Sequence, residues 1–217
     1  METKIDRQRY ARAIELWQEW NGKINVISRR DTDAIFEHHI LHSLAIAEYC
    51  RRNRISGSKI LDLGCGGGFP GIPLAMEWPE AQFTLCDSIG KKVLVAQSVA
   101  EGLGLKNVQC VKARVEELPG SWDLVVSRAV APLETLYGWV RGKFTGSLIC
   151  LKGGDVNEEI SQLLKRFGKG PIAVRAEQIR TWRISDWLDD EYFAEKFVIE
   201  VGKSYLCSPF DEKYKNR

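Results

Sequence analysis

No apolar run in this 217-residue chain approaches the roughly 20 residues that span a bilayer. The longest, around Leu124-Val125-Val126 and Leu148-Ile149-Cys150-Leu151, are the size of strands, so a soluble protein without membrane contact is expected. The first residues, Met1-Glu2-Thr3-Lys4-Ile5-Asp6, lack the apolar stretch and small-residue cleavage site of a secretory signal, which points to a cytoplasmic protein. The six cysteines, Cys50, Cys65, Cys86, Cys110, Cys150 and Cys207, form no C-x-x-C pair, which excludes a zinc knuckle or a disulfide framework and leaves most of them as small buried hydrophobes. There is no excess charge of either sign: 31 Lys and Arg against 29 Asp and Glu give +2, so any nucleic-acid contact must come from a local basic patch. Internal repeats and low-complexity tracts are also missing.

What is present suits a globular α/β protein. Hydrophobic residues make up 44% and charged residues 28%, enough to bury a sizeable core. Tyr10, Ala13, Ile14, Trp17 and Trp20 recur at three- and four-residue steps, predicting an amphipathic helix that Asn21-Gly22 ends and that buries its two tryptophans against a sheet. A second helix, capped by Asp31 or Asp33, carries Ile35, Phe36, Ile40, Leu41, Leu44, Ile46 and Ala47 and closes at Arg51-Arg52-Asn53-Arg54. These two helices form an N-terminal helical extension, residues 1–57, ahead of the main domain at 58–217.

From Lys59 onward, short β-rich runs alternate with helical stretches, the mark of a doubly wound, mostly parallel sheet. Strands are expected near Lys59–Leu63, Gln82–Asp87, Asn107–Val111, Leu124–Ser127, Ser147–Lys152, Ile172–Gln178 and Lys196–Val201. The expected crossover helices are Gly71–Trp78, Lys91–Leu103, Leu133–Val140 and Asn157–Phe167. The last two of these seven strands form an antiparallel edge hairpin, with the aperiodic stretch Thr181–Asp190 as its loop.

The informative run is Ile60-Leu61-Asp62-Leu63-Gly64-Cys65-Gly66-Gly67-Gly68-Phe69-Pro70-Gly71, an apolar strand entering a glycine-rich turn with Pro70 at the start of a helix. In doubly wound sheets ligands lie at the carboxyl ends of the strands, where the strand order reverses, so this turn floors a pocket. Asp87, about twenty residues on at the end of the second strand, can accept hydrogen bonds from a ribose diol. An adenosine-containing ligand is therefore favoured. The dinucleotide pattern G-x-G-x-x-G is a weak signal here. Asp62 before the first glycine, in D-x-G-x-G-x-G, and Phe69 at a glycine's place favour S-adenosylmethionine over NAD. The competing possibility, a glycine turn with no ligand, leaves unexplained why five glycines are tolerated in one turn. Arg114-Val115-Glu116-Glu117 after the third strand and Ser127-Arg128-Ala129 after the fourth reach the same rim; a capped turn and a surface ion pair are the plainer alternatives.

With these residues in place, the chain resembles the RsmG (GidB) family of 16S ribosomal RNA guanine-N7 methyltransferases. Trp20-Asn21 through Asn25-Val26 resembles the family's W-N-x-x-x-N-L segment, His39-Ile40-Leu41-His42-Ser43-Leu44 its H-x-L-D-S-L, and Asp62 through Pro73 its glycine loop. Leu85-Cys86-Asp87-Ser88, Ala113-Arg114-Val115-Glu116-Glu117, Ser127-Arg128-Ala129 and Leu151-Lys152-Gly153 match later blocks. His42 stands where the family pattern has Asp, and the stretch from Trp182 to Glu195 has no counterpart among these blocks. The resemblance implies a class I S-adenosylmethionine-dependent methyltransferase fold, Rossmann-like. It also implies 16S rRNA in the small ribosomal subunit as partner, and guanine 527 of the 530 loop as target. Cofactor contacts are implied at Gly64, Phe69, Asp87, Val115, Glu116 and Arg128, and Gly66 of the loop is added to them.

Guanine N7 carries an in-plane lone pair and no proton, so transfer of a sulfonium methyl to it needs alignment and not a general base. Arg128 is the candidate catalytic residue, placed at the rim, where its planar fork reaches the methionine carboxylate or the guanine and where its loss leaves the fold intact. Arg29, Arg30, His38, His39 and Lys152 are candidates for the RNA-facing surface, since N7 is accessible only in a loop or on a splayed base. No metal is expected: His38 and His42 lie a helical turn apart, but H-H-I-L-H lacks the glutamate of H-E-x-x-H. A small-molecule methyltransferase and a catalytically silent RNA-binding assembly module are the alternative functions; a monomer is the expected state. Asp87→Ala is expected to weaken S-adenosylmethionine by about 1 to 3 kcal/mol in titration calorimetry, and binding of NAD in its place would overturn the cofactor assignment.

Overall fold

The computed structural model describes residues 5–170 and 173–202. Its N-terminal part holds α1 (Ala11–Asn21) and α2 (His42–Asn53). Between them the chain does not run as one capped helix. Ser28, not Asp31 or Asp33, accepts the Arg30 N–H at the start of a 3₁₀ turn, Arg29–Ala34, and a π-helical turn, Ile35–Leu41, leads into α2. The carboxylate of Asp31 is used otherwise: it accepts from His38 Nδ1 at 2.9 Å. Wide π turns of this kind re-aim side chains, and this one carries His38 and His39.

Seven strands then form one sheet in the order β3-β2-β1-β4-β5-β7-β6. The parallel members are β1 (Lys59–Leu63), β2 (Gln82–Asp87), β3 (Val108–Lys112), β4 (Trp122–Arg128) and β5 (Phe144–Gly153). β6 (Ile179–Arg183) and β7 (Lys196–Gly202) complete it as the antiparallel edge. The order reverses between β1 and β4, the switch point at which a cleft opens above the strand ends. The linking helices are α3 (Gly71–Glu77), α4 (Gly90–Gly102), α5 (Leu133–Val140) and α6 (Val156–Phe167).

The sixth strand lies seven residues later than the sequence suggested. Gln178 explains the shift: its side chain accepts from Arg175 N–H at 2.8 Å and donates to the Gly202 carbonyl at 2.9 Å, turning 176–178 into a 3₁₀ segment before pairing begins. Ile172 lies outside the described residues. Part of the stretch expected as loop, Thr181 to Arg183, is strand, because Trp182 packs on Tyr49 and Trp187 with ring centroids 6.1 and 6.2 Å apart.

Both sheet faces are covered. α5 and α6 pack Leu133, Leu136 and Leu163 against Leu61, Val125 and Leu148. On the other face Tyr10, Trp17, Ile40 and Tyr49 of the N-terminal part share one apolar cluster with Phe69, Leu74, Phe83 and Val126. Four cysteines, Cys50, Cys65, Cys86 and Cys150, are buried thiols; Cys110 is half-buried, and Cys207 lies outside the described residues.

Trp17 is wholly buried, but against the glycine turn and not the sheet: it stacks on Phe69 at 4.1 Å between centroids and its indole N–H donates to the Gly67 carbonyl at 2.8 Å. Trp20 is only half-buried. Trp17→Ala removes a core aromatic and a buried donor, so urea unfolding is expected to show a loss of about 3 to 5 kcal/mol. An unchanged midpoint would show that the N-terminal part does not brace the turn.

Candidate methyl-transfer site

The turn after β1 is fastened from below by an acid. Asp62 is fully buried and its Oδ2 accepts the Gly71 N–H at 2.7 Å, tying the first residue of α3 to the strand. Pro70 stands one residue before the helix, as its cap. Burial pushes the Asp62 carboxyl up to about 7, against the pull of the Gly71 N–H and the positive charge of Arg128. Gly64 and Gly66 are required by geometry. Gly64 has φ +71°, and a Cβ there would sit 2.4 Å from Val130. Gly66 has φ +53° and no heavy atom within 4 Å of its Cβ position, so its bare backbone faces open space.

That space is a cavity of about 400 Å³ at the switch point. Gly64, Gly66, Phe69, Asp87, Val115, Glu116 and Arg128, the seven candidate cofactor residues, all line it. At the end of β2, Asp87 accepts from Gly66 N–H at 3.0 Å and from Ile89 N–H at 2.8 Å. Each carboxylate oxygen thus holds one backbone group and keeps a lone pair for a ligand hydroxyl. Val115, buried at the head of a 3₁₀ turn, supplies main chain and apolar surface, while Glu116 beside it is exposed. Ile89 and Trp139 also line the cavity and were not singled out from the sequence, since nothing in their spacing distinguishes them from core residues. Apolar walls, an open glycine backbone and a carboxylate at the second strand end fit an adenosine moiety.

Arg128 is half-buried at the edge of the cavity and is not a surface ion pair. Its guanidinium lies over the Phe69 ring at 4.8 Å and places Nη2 2.9 Å from His39 Nδ1. It forms no ion pair with a carboxylate among the described residues, and burial pulls its pKa down to about 10. The His39 ring is pulled down to about 3, first by burial and then by the Arg128 charge, so it is neutral; Nδ1 accepts and Nε2 carries the proton. His42 is buried rather than surface-facing, with burial again holding it well below the usual histidine range. His38 is half-buried and stacked on Tyr192 at 3.8 Å.

A second cavity, about 560 Å³, lies on the other side of the Arg128–Val130 segment, which lines both. Its walls include His39, Lys152, Glu159, Tyr192 and Lys196. Lys152 is buried, not on an open surface; its ammonium is 2.8 Å from Glu159 and donates to the Ala131 carbonyl at 2.5 Å. Arg30 is exposed on the 3₁₀ turn before the π turn; of Arg29 only the backbone is described. Among the described residues no group of three or more His, Cys, Asp and Glu is arranged to hold a metal ion, and no helix is long and apolar enough to cross a membrane.

The strand order, the glycine turn and the cavity above it define a class I S-adenosylmethionine-dependent methyltransferase. The magnesium protoporphyrin IX methyltransferase of Synechocystis PCC 6803, solved with bound SAM, superposes with TM-score 0.60 at 18% identity, covering 94% of this chain and 100% of that one. Residues 6–175 match the family described as rRNA small subunit methyltransferase G, GidB, and the chain belongs to that family. It is 43% identical over 205 residues to ribosomal RNA small subunit methyltransferase G of Christiangramia forsetii, covering 91% of this chain and 90% of the relative. Against the protein of the same name in Cytophaga hutchinsonii it is 46% identical over 194 residues, covering 86% and 87%. The enzyme is thus an S-adenosylmethionine-dependent methyltransferase.

Arg128→Lys and Arg128→Ala are both expected to lose at least about tenfold in single-turnover rate, because an ammonium reproduces neither the planar stack on Phe69 nor the fork toward His39. The Ala variant is also expected to melt lower, since it leaves a hole between Phe69 and His39. Wild-type rates for the Lys variant would remove Arg128 from the site.

Proposed function

We propose that the enzyme transfers the methyl group of S-adenosylmethionine to N7 of guanine 527 in the 530 loop of 16S rRNA. The observation that carries the reading is the pair of cavities separated only by Arg128, Ala129 and Val130, one suited to adenosine and one with room for a base. Family membership supports ribosomal RNA as substrate. We take the enzyme to act in the cytoplasm, where bacterial small subunits are assembled, and as a monomer.

Bound in the first cavity, S-adenosylmethionine supplies an electrophilic sulfonium methyl. The chain's own residues hold and align. Asp87 takes the ribose hydroxyls with the lone pairs its backbone contacts leave free, and the turn at Val115 flanks the adenine while exposed Glu116 closes the edge. Arg128, held over Phe69 and against His39, presents its remaining N–H groups at the border of the two cavities, toward the methionine carboxylate or the base. N7 requires no deprotonation, and the two imidazoles nearest the border are neutral groups that burial keeps uncharged. The rate enhancement then comes from bringing N7, carbon and sulfur into line in a water-poor space.

RNA is offered to this cleft as an unstacked loop base, because side chains do not reach N7 in an A-form major groove. Arg30 and His38, with Arg29 as the further sequence candidate, are proposed for the approach on the N-terminal side, while His39 and Lys152 line the second cavity. Incubation of isolated small subunits with labelled S-adenosylmethionine is expected to yield N7-methylguanine, mapped by borohydride and aniline cleavage. Label on a cytosine carbon or a ribose oxygen would overturn the assignment.

A further inference from the structure

The second cavity has a feature that methyl transfer itself does not use. At its floor Lys152 and Glu159 form a pair 2.8 Å apart, with the lysine side chain only 7% exposed. The lysine ammonium also donates to the Ala131 carbonyl, and a single proton shared between the two Glu159 oxygens, at 2.8 and 3.2 Å, leaves its third for a ligand. Glu159 Oε2 accepts the Leu133 N–H at 2.7 Å, whereas Oε1 carries only a 3.2 Å contact with Lys152 and keeps accepting capacity. Together they offer a donor and an acceptor side by side inside a cavity that opens onto the methyl-transfer border.

The base edge that complements such a pair has an acceptor beside donors. Guanine presents O6 next to N1–H and the N2 amino group; adenine presents an amino donor and then the N1 lone pair, the reverse polarity. We propose that Lys152 and Glu159 read the target guanine, Lys152 donating to O6 and Glu159 Oε1 accepting from N1–H and N2–H. This assignment rests on the guanine-N7 reading and adds the residues that select the base.

The order of the elements supports the orientation. Arg128 pairs with Leu151 across β4 and β5, so Lys152 is one residue further along β5 with its side chain on the α6 face, where Glu159 meets it. Of the three groups Arg128 alone also lines the cofactor cavity, whereas Lys152 and Glu159 line only the second. Moving along the guanine from N7, the atoms run N7, O6, N1 and N2. Laid against Lys152 and Glu159, the base therefore turns N7 toward Arg128 and the methyl donor. Tyr192 and Lys196 wall the same cavity, the ammonium sitting 3.6 Å from the ring centroid, so the base enters beside an aromatic face that already carries a cation.

The test uses small subunits reconstituted with 16S rRNA carrying inosine or 2,6-diaminopurine in place of the target guanine, methylated in single turnover with saturating S-adenosylmethionine. Inosine keeps N7 and O6 but lacks the 2-amino group, and is expected to react about tenfold more slowly. 2,6-Diaminopurine sets an amino group against the lysine and a lone pair against the carboxylate, and is expected to be slower still. Glu159→Gln keeps an acceptor for the Leu133 N–H. It should lower the rate on guanine and bring the guanine-to-inosine ratio to within about twofold, with cofactor affinity unchanged and the thermal midpoint lowered by the loss of Lys152's partner. A merely structural glutamate would alter rates without altering that ratio. Equal wild-type rates on guanine and inosine overturn the assignment, as does a variant that retains the guanine preference. Should the variant not fold, the two analogues with wild-type enzyme decide. Failure of the wild type to methylate guanine at N7 overturns the reading beneath it instead.

Discussion

A half-buried guanidinium with no carboxylate paired to it among the described residues is the constraint around which this structure is arranged. Removing an ion from water costs several kcal/mol even after relaxation. The Phe69 ring returns only about 0.5 to 2 kcal/mol through its π face, and His39 accepts two hydrogen bonds, one at its imidazole and a long one at its backbone carbonyl. An acid placed against Arg128 would neutralise it and remove its use. After Tyr192, the side chain that most favours the Arg128 charge is Asp62, buried under the glycine turn, where burial pushes the carboxyl up to about 7. Arg128 is therefore left with unspent donors at the border of two cavities, the state a group needs if a negative or electron-rich ligand is to complete its coordination.

The supports of that guanidinium come from two distant parts of the chain, and this makes the N-terminal segment part of the site. Phe69 belongs to the glycine turn, but Trp17, stacked behind it, comes from α1, and His39 from the π turn. The same indole holds the Gly67 carbonyl, so one side chain fixes both the ring under Arg128 and the backbone that approaches the cofactor. A helical extension that only covered the sheet would need an apolar stripe. This one also presents two polar atoms, the Trp17 N–H and the His39 Nδ1, at defined points.

Legibility in the sequence followed the range of the interactions. The glycine turn, Asp62 and Asp87 were readable because strand ends and βα turns are local features, and the seven residues inferred from them and from the family blocks fall around one cavity. The edge strand was misplaced because its start depends on Gln178 bridging Arg175 and Gly202, contacts that no periodicity reports. The cap at Asp31 failed for the same reason: His38, seven residues on, competes for the carboxylate. Lys152 was expected at the surface since charged residues usually are, and its burial, like the half-burial of Arg128, depends on Glu159, Phe69 and His39, which meet them only in the folded chain. Glu159 carried no sequence signal at all, being one acid in the polar face of a helix.

The segment from Arg128 to Val130 binds these observations together. It follows β4, turns through a positive φ of 52° at Ala129, and lays Val130 against the space left by the missing side chain of Gly64. A strained non-glycine position persists only where its surroundings hold it, and here the surroundings are the glycine turn on one side and His39 on the other. Because the segment is the common wall of both cavities, whatever orders it from the cofactor side also sets the shape offered to the base. Any such influence must run equally in the other direction, since the free energy coupling two binding events through one element has a single value. The glycine at position 64 thus does more than admit a ligand: it gives Val130 its seat and joins the two halves of the cleft.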